Sequence, residues 1–175
     1  PLPKYIDNPI VKRLSFNNYI NLQNVSFKYS SDTSWVLRNI NIKIKKGTRI
    51  GLIGTTGGGK STLSDLLMGL ITPCKGKILV DNVPLNFSNY REWQANISHV
   101  PQSIFLADTS IAENIAFGVP VDSIDHKRVS WAAKIAQIDK TICKWKENYQ
   151  TVVGERGIKL SGGQRQRIGI ARALY

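Results

Sequence analysis

Residues 49–63 read RIGLIGTTGGGKSTL, and the fold turns on this stretch. Its first half is short, nearly all apolar and bounded by glycine, the pattern of a strand buried on both faces. Its second half, Gly54–Thr62, satisfies G-x-x-x-x-G-K-[ST] through Gly54, Gly59, Lys60 and Ser61. Beyond it Leu63, Leu66, Leu67 and Leu70 recur at i, i+3, i+4 and i+7, one face of a helix. Strand, glycine loop and helix in that order are the context that makes the motif a phosphate cradle. Glycines let the backbone close around an anion, so that N–H groups from Gly57 to Ser61 face inward. The helix start adds partial positive charge. In this reading Thr55, Thr56, Gly58 and Thr62 complete the lining, Lys60 reaches the β- and γ-phosphates, and the Ser61 hydroxyl ligates Mg²⁺. The alternative, a Gly-rich turn that holds Lys-Ser by chance, is disfavoured by the flanking elements. A nucleoside triphosphate ligand is implied.

Upstream, YINLQNVSFKY (19–29) alternates Ile20 and Leu22, then Val25, Phe27 and Tyr29, a strand pattern with one interruption. VLRNINIKIKKG (36–47) alternates Ile40, Ile42 and Ile44 against polar neighbours and stops at Gly47. Both suit antiparallel strands with one wet face. Residues 1–18 lack periodicity and read as a lead-in arm. Downstream, GKILVDN (76–82) reads as a strand ending in a turn, and ISHVP (97–101) as a further buried strand stopped by Pro101. From Gln102 the pattern turns helical. Ser110 and Glu113 fit a capping box, and Val129, Ala132, Ala133 and Ala136 mark another helical face. A β-rich start, a strand–loop–helix and a helical insertion together make an α/β architecture.

Composition narrows the class. Apolar residues make up 42% of 175 residues, and no run approaches the roughly 18 that span a bilayer. Pro1 is followed by no signal segment, and both ends read as cut ends. Cys74 and Cys143 are distant, without CxxC spacing, which fits free thiols in a reducing compartment better than a metal site. The net charge of +12 is scattered, with Lys43, Lys45 and Lys46 in one segment and Arg165, Arg167 and Arg172 in another. A solvated basic face, or one near an anionic leaflet, fits this better than a nucleic-acid groove. None of Asp122, Asp125, Asp139 or Glu147 ends a buried strand. His99 reads as a strand-end residue and His126 as a surface helix residue.

A second anion site is legible in LSGGQRQR, Leu160–Arg167. Ser161, Gly162 and Gly163 open a helix, where backbone amides, a hydroxyl and the dipole converge. Together with the phosphate loop, this stretch closely resembles the signature of ATP-binding-cassette (ABC) ATPases, and the resemblance runs from about Tyr19 to Tyr175. It implies a P-loop NTPase (RecA-like) core with an N-terminal antiparallel β-subdomain and a helical subdomain. On that pattern residues 1–18 are a linker from a transmembrane domain, 19–101 the β-subdomain and ATPase core, 102–160 the helical subdomain, and 161–175 the signature.

By the same resemblance Tyr29 stacks on adenine, and Gln102 touches Mg²⁺ or the attacking water and senses the membrane domain. Glu155, in TVVGERG, contacts transmembrane extensions. Ser161, Gly162, Gly163 and Gln164 close on ATP held by a partner domain, the two pairing head to tail. Thr56 and Gly58 depart from the commoner residues without threatening phosphate binding. The pattern expects a further strand ending in Asp-Glu, then a His, beyond Tyr175; the general base is outside these residues, and the fragment alone is expected to be inactive. The implied function is ATP binding and hydrolysis driving export or flipping, at the cytoplasmic face of a membrane, in a subgroup akin to flippases of lipid-linked oligosaccharides. The cofactors are ATP and Mg²⁺; the partners are a second nucleotide-binding domain and a transmembrane domain, with no nucleic acid. Two alternatives remain. One is a DNA-repair or chromosome-maintenance ATPase with the same signature, disfavoured by the absence of heptads or CxxC between the motifs. The other is an ATP-dependent dimerisation module without turnover.

Overall fold

The computed structural model describes residues 12–175, and the chain forms two compact units that divide between Ile97 and Ser98. Of the expected lead-in arm, residues 1–11 lie outside the described residues.

The first unit is built on a four-stranded antiparallel sheet in the order β2-β1-β3-β4. Its strands are β1 (Tyr19–Phe27), β2 (Leu37–Lys45), β3 (Lys75–Val80) and β4 (Val83–Pro84). The interruption legible in β1 is a register shift between Leu22 and Val25, with Asn24 at φ 51°. A bulge of this kind bends the strand and increases its twist. Gly76 of β3 lies against the bulge: a Cβ there would stand 2.3 Å from the Gln23 carbonyl oxygen. β3 turns into β4 through Asp81 and Asn82, at φ 46° and 70°, the paired positive φ of a tight hairpin.

Helix α1 (Lys60–Leu67) buries Leu63 and Leu66 against Leu22, Val25, Phe27, Leu37 and Ile78. The leucine face expected to run on to Leu70 stops short, and Leu70 is exposed. Gly69 at φ 67° donates to Leu66, and Leu70 N–H donates back to Asp65, a Schellman ending that turns the chain off the helix axis. A short helix α2 (Tyr90–Gln94) buries Trp93, whose indole N–H donates to the Leu67 carbonyl at 2.8 Å.

Two expected strands are corrected. Neither Arg49–Gly54 nor Ile97–Pro101 pairs with another segment among the described residues. Ile50 is 52% and Ile53 99% exposed, so this apolar run is not a buried strand here. A parallel strand draws its hydrogen bonds from neighbours on its edges, and the sheet formed here is antiparallel throughout. His99 is correspondingly an exposed loop residue, not a strand end.

Residues 14–18 pack on this unit. Leu14 N–H donates to Glu92 and Asn96 reaches back to Leu14 at 2.8 Å. The Asp81 carboxylate accepts from the N–H groups of Asn17, Asn18 and Tyr19. Desolvation would raise the Asp81 pKa, but these donors outweigh it and hold the carboxyl below its usual range.

The second unit is helical: α3 (Ile111–Ile115), α4 (His126–Ile135), α5 (Asp139–Ile142) and α6 (Gly162–Leu174). Its core gathers Leu106, Ile111, Ile115, Val129, Ile138 and Ile168. The expected capping box is present, since Ser110 Oγ accepts from Glu113 N–H and Glu113 accepts from Ser110 N–H. Asp125 caps α4 through Lys127 and Arg128 N–H, and His126 is exposed at the first turn, as expected.

Gly47 and Gly76 share φ 78°, but only Gly76 has no room for a side chain. Gly47→Ala should therefore cost about 1 kcal/mol and Gly76→Ala about 3 kcal/mol or more, measured as urea midpoints; equal losses would refute the close-approach account. For Asp81 the native pKa is depressed. Its contribution is therefore full above the unfolded-state value and lost as pH falls through the native one. Hydrogen-exchange protection at Asn18 and Tyr19 should fall on acidification in the wild type, and be low and insensitive to pH in Asp81→Asn.

Candidate phosphate-binding site

Geometry at the glycine loop follows from two left-handed residues, Gly57 at φ 81° and Gly59 at φ 80°. Gly58 N–H donates to the Thr55 carbonyl at 3.1 Å, closing the loop on itself. The Lys60 ammonium folds back into the loop, donating to the carbonyls of Gly54 at 2.8 Å and Thr55 at 2.7 Å. Helix α1 begins at Lys60 with Gly59 as its cap, no side-chain cap bond and no acidic residue in the first turn. The loop thus presents backbone N–H groups, a helix end and a cation to solvent, groups that favour a nearby anion.

Tyr29 follows β1 and is 65% exposed. Its ring meets Phe27 edge to face at 5.0 Å, and its hydroxyl lies 3.0 Å from Thr62 Oγ1 on α1. The structure therefore brings Tyr29 together with the loop and its helix. Among the described residues no three His, Cys, Asp or Glu side chains gather as a metal cage. Mg²⁺ suits such a site when phosphates and water supply most of its ligands, and the exposed Ser61 hydroxyl fits the protein's share.

In the second unit Ser161 caps α6, its Oγ accepting from Gln164 N–H at 3.2 Å while Gln164 Oε1 accepts from Ser161 N–H at 2.8 Å. Gly162 and Gly163 are exposed with open space around them. Gln102, also exposed, lines a small cavity with Ile104, Gly162, Arg165 and Gln166. Glu155 opens a short 3₁₀ turn (Glu155–Gly157) in which Arg156 is left-handed at φ 51°. Glu155 shares a cavity of about 660 Å³ with Ser103, Ile104, Phe105, Arg156 and Ile158.

Residues 37–175 match the family described as "ABC transporter". The chain belongs to that family. It is 44% identical over 155 residues to the leukotoxin translocation ATP-binding protein LktB of Mannheimia glucosida, covering 89% of this chain and 22% of that protein. It is equally 44% identical over 155 residues to the alpha-hemolysin translocation ATP-binding protein HlyB of Escherichia coli O157:H7, with the same coverage of 89% and 22%. Among solved structures, a bacterial Atm1-family ABC exporter with ATP bound aligns with a TM-score of 0.83 at 35% identity, covering 97% of this chain and 30% of that one. The chain thus spans less than a third of the length of these relatives and bears the exporter-type ATP-binding domain of the family.

Two parts of this ABC domain escaped the sequence reading. Arg165, counted as scattered charge, donates to the Leu160 carbonyl at 2.8 Å and so ties the approach to the signature helix. Asn114 is fully buried between α3 and the preceding loop: its Oδ1 accepts from Ala107 N–H at 2.9 Å, and its amide donates to Ala107, Thr109 and Ser110. Arg172 of α6 donates to the Asn114 carbonyl at 2.8 Å and lies 4.6 Å over the Phe117 ring. Desolvation draws the Arg172 pKa below its ordinary value. The one signal in the sequence was a polar residue at a position where the α3 pattern calls for an apolar one. Asn114→Ala leaves the half-buried Ala107 N–H without its partner and should cost about 1–3 kcal/mol in thermal unfolding; a loss below about 0.5 kcal/mol would show the network to be dispensable.

Proposed function

We propose that the protein binds Mg-ATP at the Gly54–Thr62 loop and hydrolyses it to drive export across a membrane, with this domain on the cytoplasmic face. The observation that carries the proposal is the loop itself: left-handed glycines, an uncapped helix start and the Lys60 ammonium converge where a triphosphate would lie. In this reading Gly54, Thr55, Thr56, Gly57, Gly58 and Gly59 wrap the phosphates. Lys60 exchanges its two carbonyl partners for β- and γ-phosphate oxygens, which attract an ammonium more strongly. The Ser61 hydroxyl holds Mg²⁺, whose charge offsets that of the phosphates. Tyr29 receives the adenine on its exposed ring face.

Two such domains pair head to tail, each presenting Ser161, Gly162, Gly163 and Gln164 to ATP bound on the other. The open space at both glycines and the cap geometry of Ser161 support this. Because Ser161 Oγ accepts from Gln164 N–H, its own proton remains to donate to a phosphate. Gln102 and Glu155 form the coupling surface for a transmembrane domain, supported by the cavity at Glu155 and by exposed Phe105 and Ile158 beside it. Residues 1–18 lead from that transmembrane domain, 19–101 hold the ATPase core and 102–160 the helical subdomain. The printed names of relatives concern leukotoxin and hemolysin. The flippase-like cues in IGTTGGGKST and in the segment from His99 to Gly118 point instead to lipid-linked cargo, and transport assays with each cargo decide between them.

Fluorescent ATP binding to the intact protein is the direct test. Lys60→Ala should weaken binding about 10- to 100-fold, the worth of charged hydrogen bonds. Ser161→Ala should leave binding to a single domain nearly unchanged but lower ATP-dependent pairing measured by sedimentation. Unaltered affinity in Lys60→Ala would remove the phosphate-site reading, and wild-type binding and pairing without turnover would reduce the protein to a dimerisation module.

A further inference from the structure

We propose that Thr62 is the positioning residue for Tyr29: its hydroxyl fixes the stacking ring to the phosphate-loop helix, so that the ring is already in place when a base stacks on it. This rests on the ATP-site reading above and adds to it a residue acting through another. The starting point is an anomaly of exposure. Tyr29 is 65% exposed, and an aromatic ring so open to solvent ordinarily samples several rotamers. Here both ends of its side chain are engaged. The ring meets buried Phe27 at 5.0 Å with planes at 87°, and the hydroxyl reaches Thr62 Oγ1 at 3.0 Å. One anchor belongs to β1 and the other to α1.

Thr62 is placed for this task. It is 5% exposed on the first turn of α1, directly after Ser61. A helical Ser or Thr commonly bonds the carbonyl four residues back. Ser64 does so, donating to Lys60 at 3.2 Å. Thr62 Oγ1 instead faces the Tyr29 hydroxyl. As a β-branched residue in a helix Thr62 has few rotamers, which makes it a stiff anchor.

The consequence concerns affinity for the base. A ring already held in place loses little freedom when a base stacks on it, and preorganisation of this kind raises affinity without a new contact. It also gives Tyr29 two separable contributions, stacking by the ring and orientation by the hydroxyl. A Phe at position 29 would keep the first, with its edge contact to Phe27, and lose the second.

The test compares ATP with inorganic tripolyphosphate, which carries the phosphates without the base, on the intact protein. Wild type, Tyr29→Phe, Thr62→Val, Thr62→Ser and the double variant Tyr29→Phe/Thr62→Val are measured by calorimetry. Tyr29→Phe should weaken ATP about three- to tenfold, the range of one neutral hydrogen bond, and leave tripolyphosphate unchanged. In the Thr62→Val background the same change should have no further effect on ATP, whatever Thr62→Val does to phosphate binding by itself. Thr62→Ser, which keeps the hydroxyl, should retain most of the ATP preference over tripolyphosphate. Wild-type ATP affinity in Tyr29→Phe, or additive losses in the double variant, would overturn the positioning role. Failure of wild type to bind either ligand would instead overturn the ATP-site reading, so the two outcomes are distinct. Circular dichroism melts of each variant exclude loss of fold as the cause.

Discussion

Gly59 passes so close to the start of β2 that a Cβ would stand 2.9 Å from Leu37 Cδ2 and 3.2 Å from the Val36 carbonyl oxygen. That approach, with φ at 80°, is open only to glycine, and much of the first unit is arranged around it. It lets the chain leave the loop and enter α1 while the helix settles against the sheet, where Leu63 and Leu66 meet Leu22 and Val25. A side chain at position 59 would lift the helix start off β2. The N–H groups of its first turn would then no longer converge with the loop. The same seating brings Thr62 to Tyr29 at the end of β1. Packing and ligand recognition are here one constraint seen from two sides.

Legibility in the sequence followed the range of the forces involved. The glycine loop, the Ser110–Glu113 capping box and the alternation of β1 and β2 depend on residues within a few positions of one another, and each stands where the sequence places it. The interruption in β1 was visible as a break in alternation, though its cause lies in β3, where Gly76 makes room for the bulge. The Schellman stop after α1 carries a local signal, Gly69, that competes with the regular leucine spacing reaching Leu70. Arg49–Gly54 and Ile97–Pro101 depart from the strands expected of them for a different reason. Apolar composition reports a preference for burial, whereas a strand exists only when another backbone lies alongside it. Asn114 and Arg172 were opaque because their partners come from distant positions brought together by the fold.

The two capping boxes of the second unit show how one local device serves different ends. At α3, Ser110 is paired with Glu113, whose carboxylate accepts the Ser110 hydroxyl at 2.6 Å as well as its N–H. The Ser110 hydroxyl and N–H, both donating to it, hold the Glu113 carboxyl below its usual range, so the negative charge remains and neutralises the helix start. That end lies against the Thr151–Val153 segment, where an isolated bridge joins Ser110 to Val152. It is closed to any ligand, both electrostatically and sterically.

At α6 the same geometry is made with a neutral amide. Gln164 satisfies the Ser161 N–H as a carboxylate would, yet brings no charge, so the positive end of the 13-residue helix α6 is left uncompensated. Its hydroxyl is also left differently poised. Ser110 spends its proton on Glu113, whereas Ser161 Oγ only accepts within its box and keeps a donor to offer. Gly162 and Gly163 add no side chain in front of the helix axis. A glutamate at position 164 would cap the helix equally well and place negative charge at the start of α6. On the proposed ATP-site reading, what the helix end attracts separates two otherwise equal capping residues.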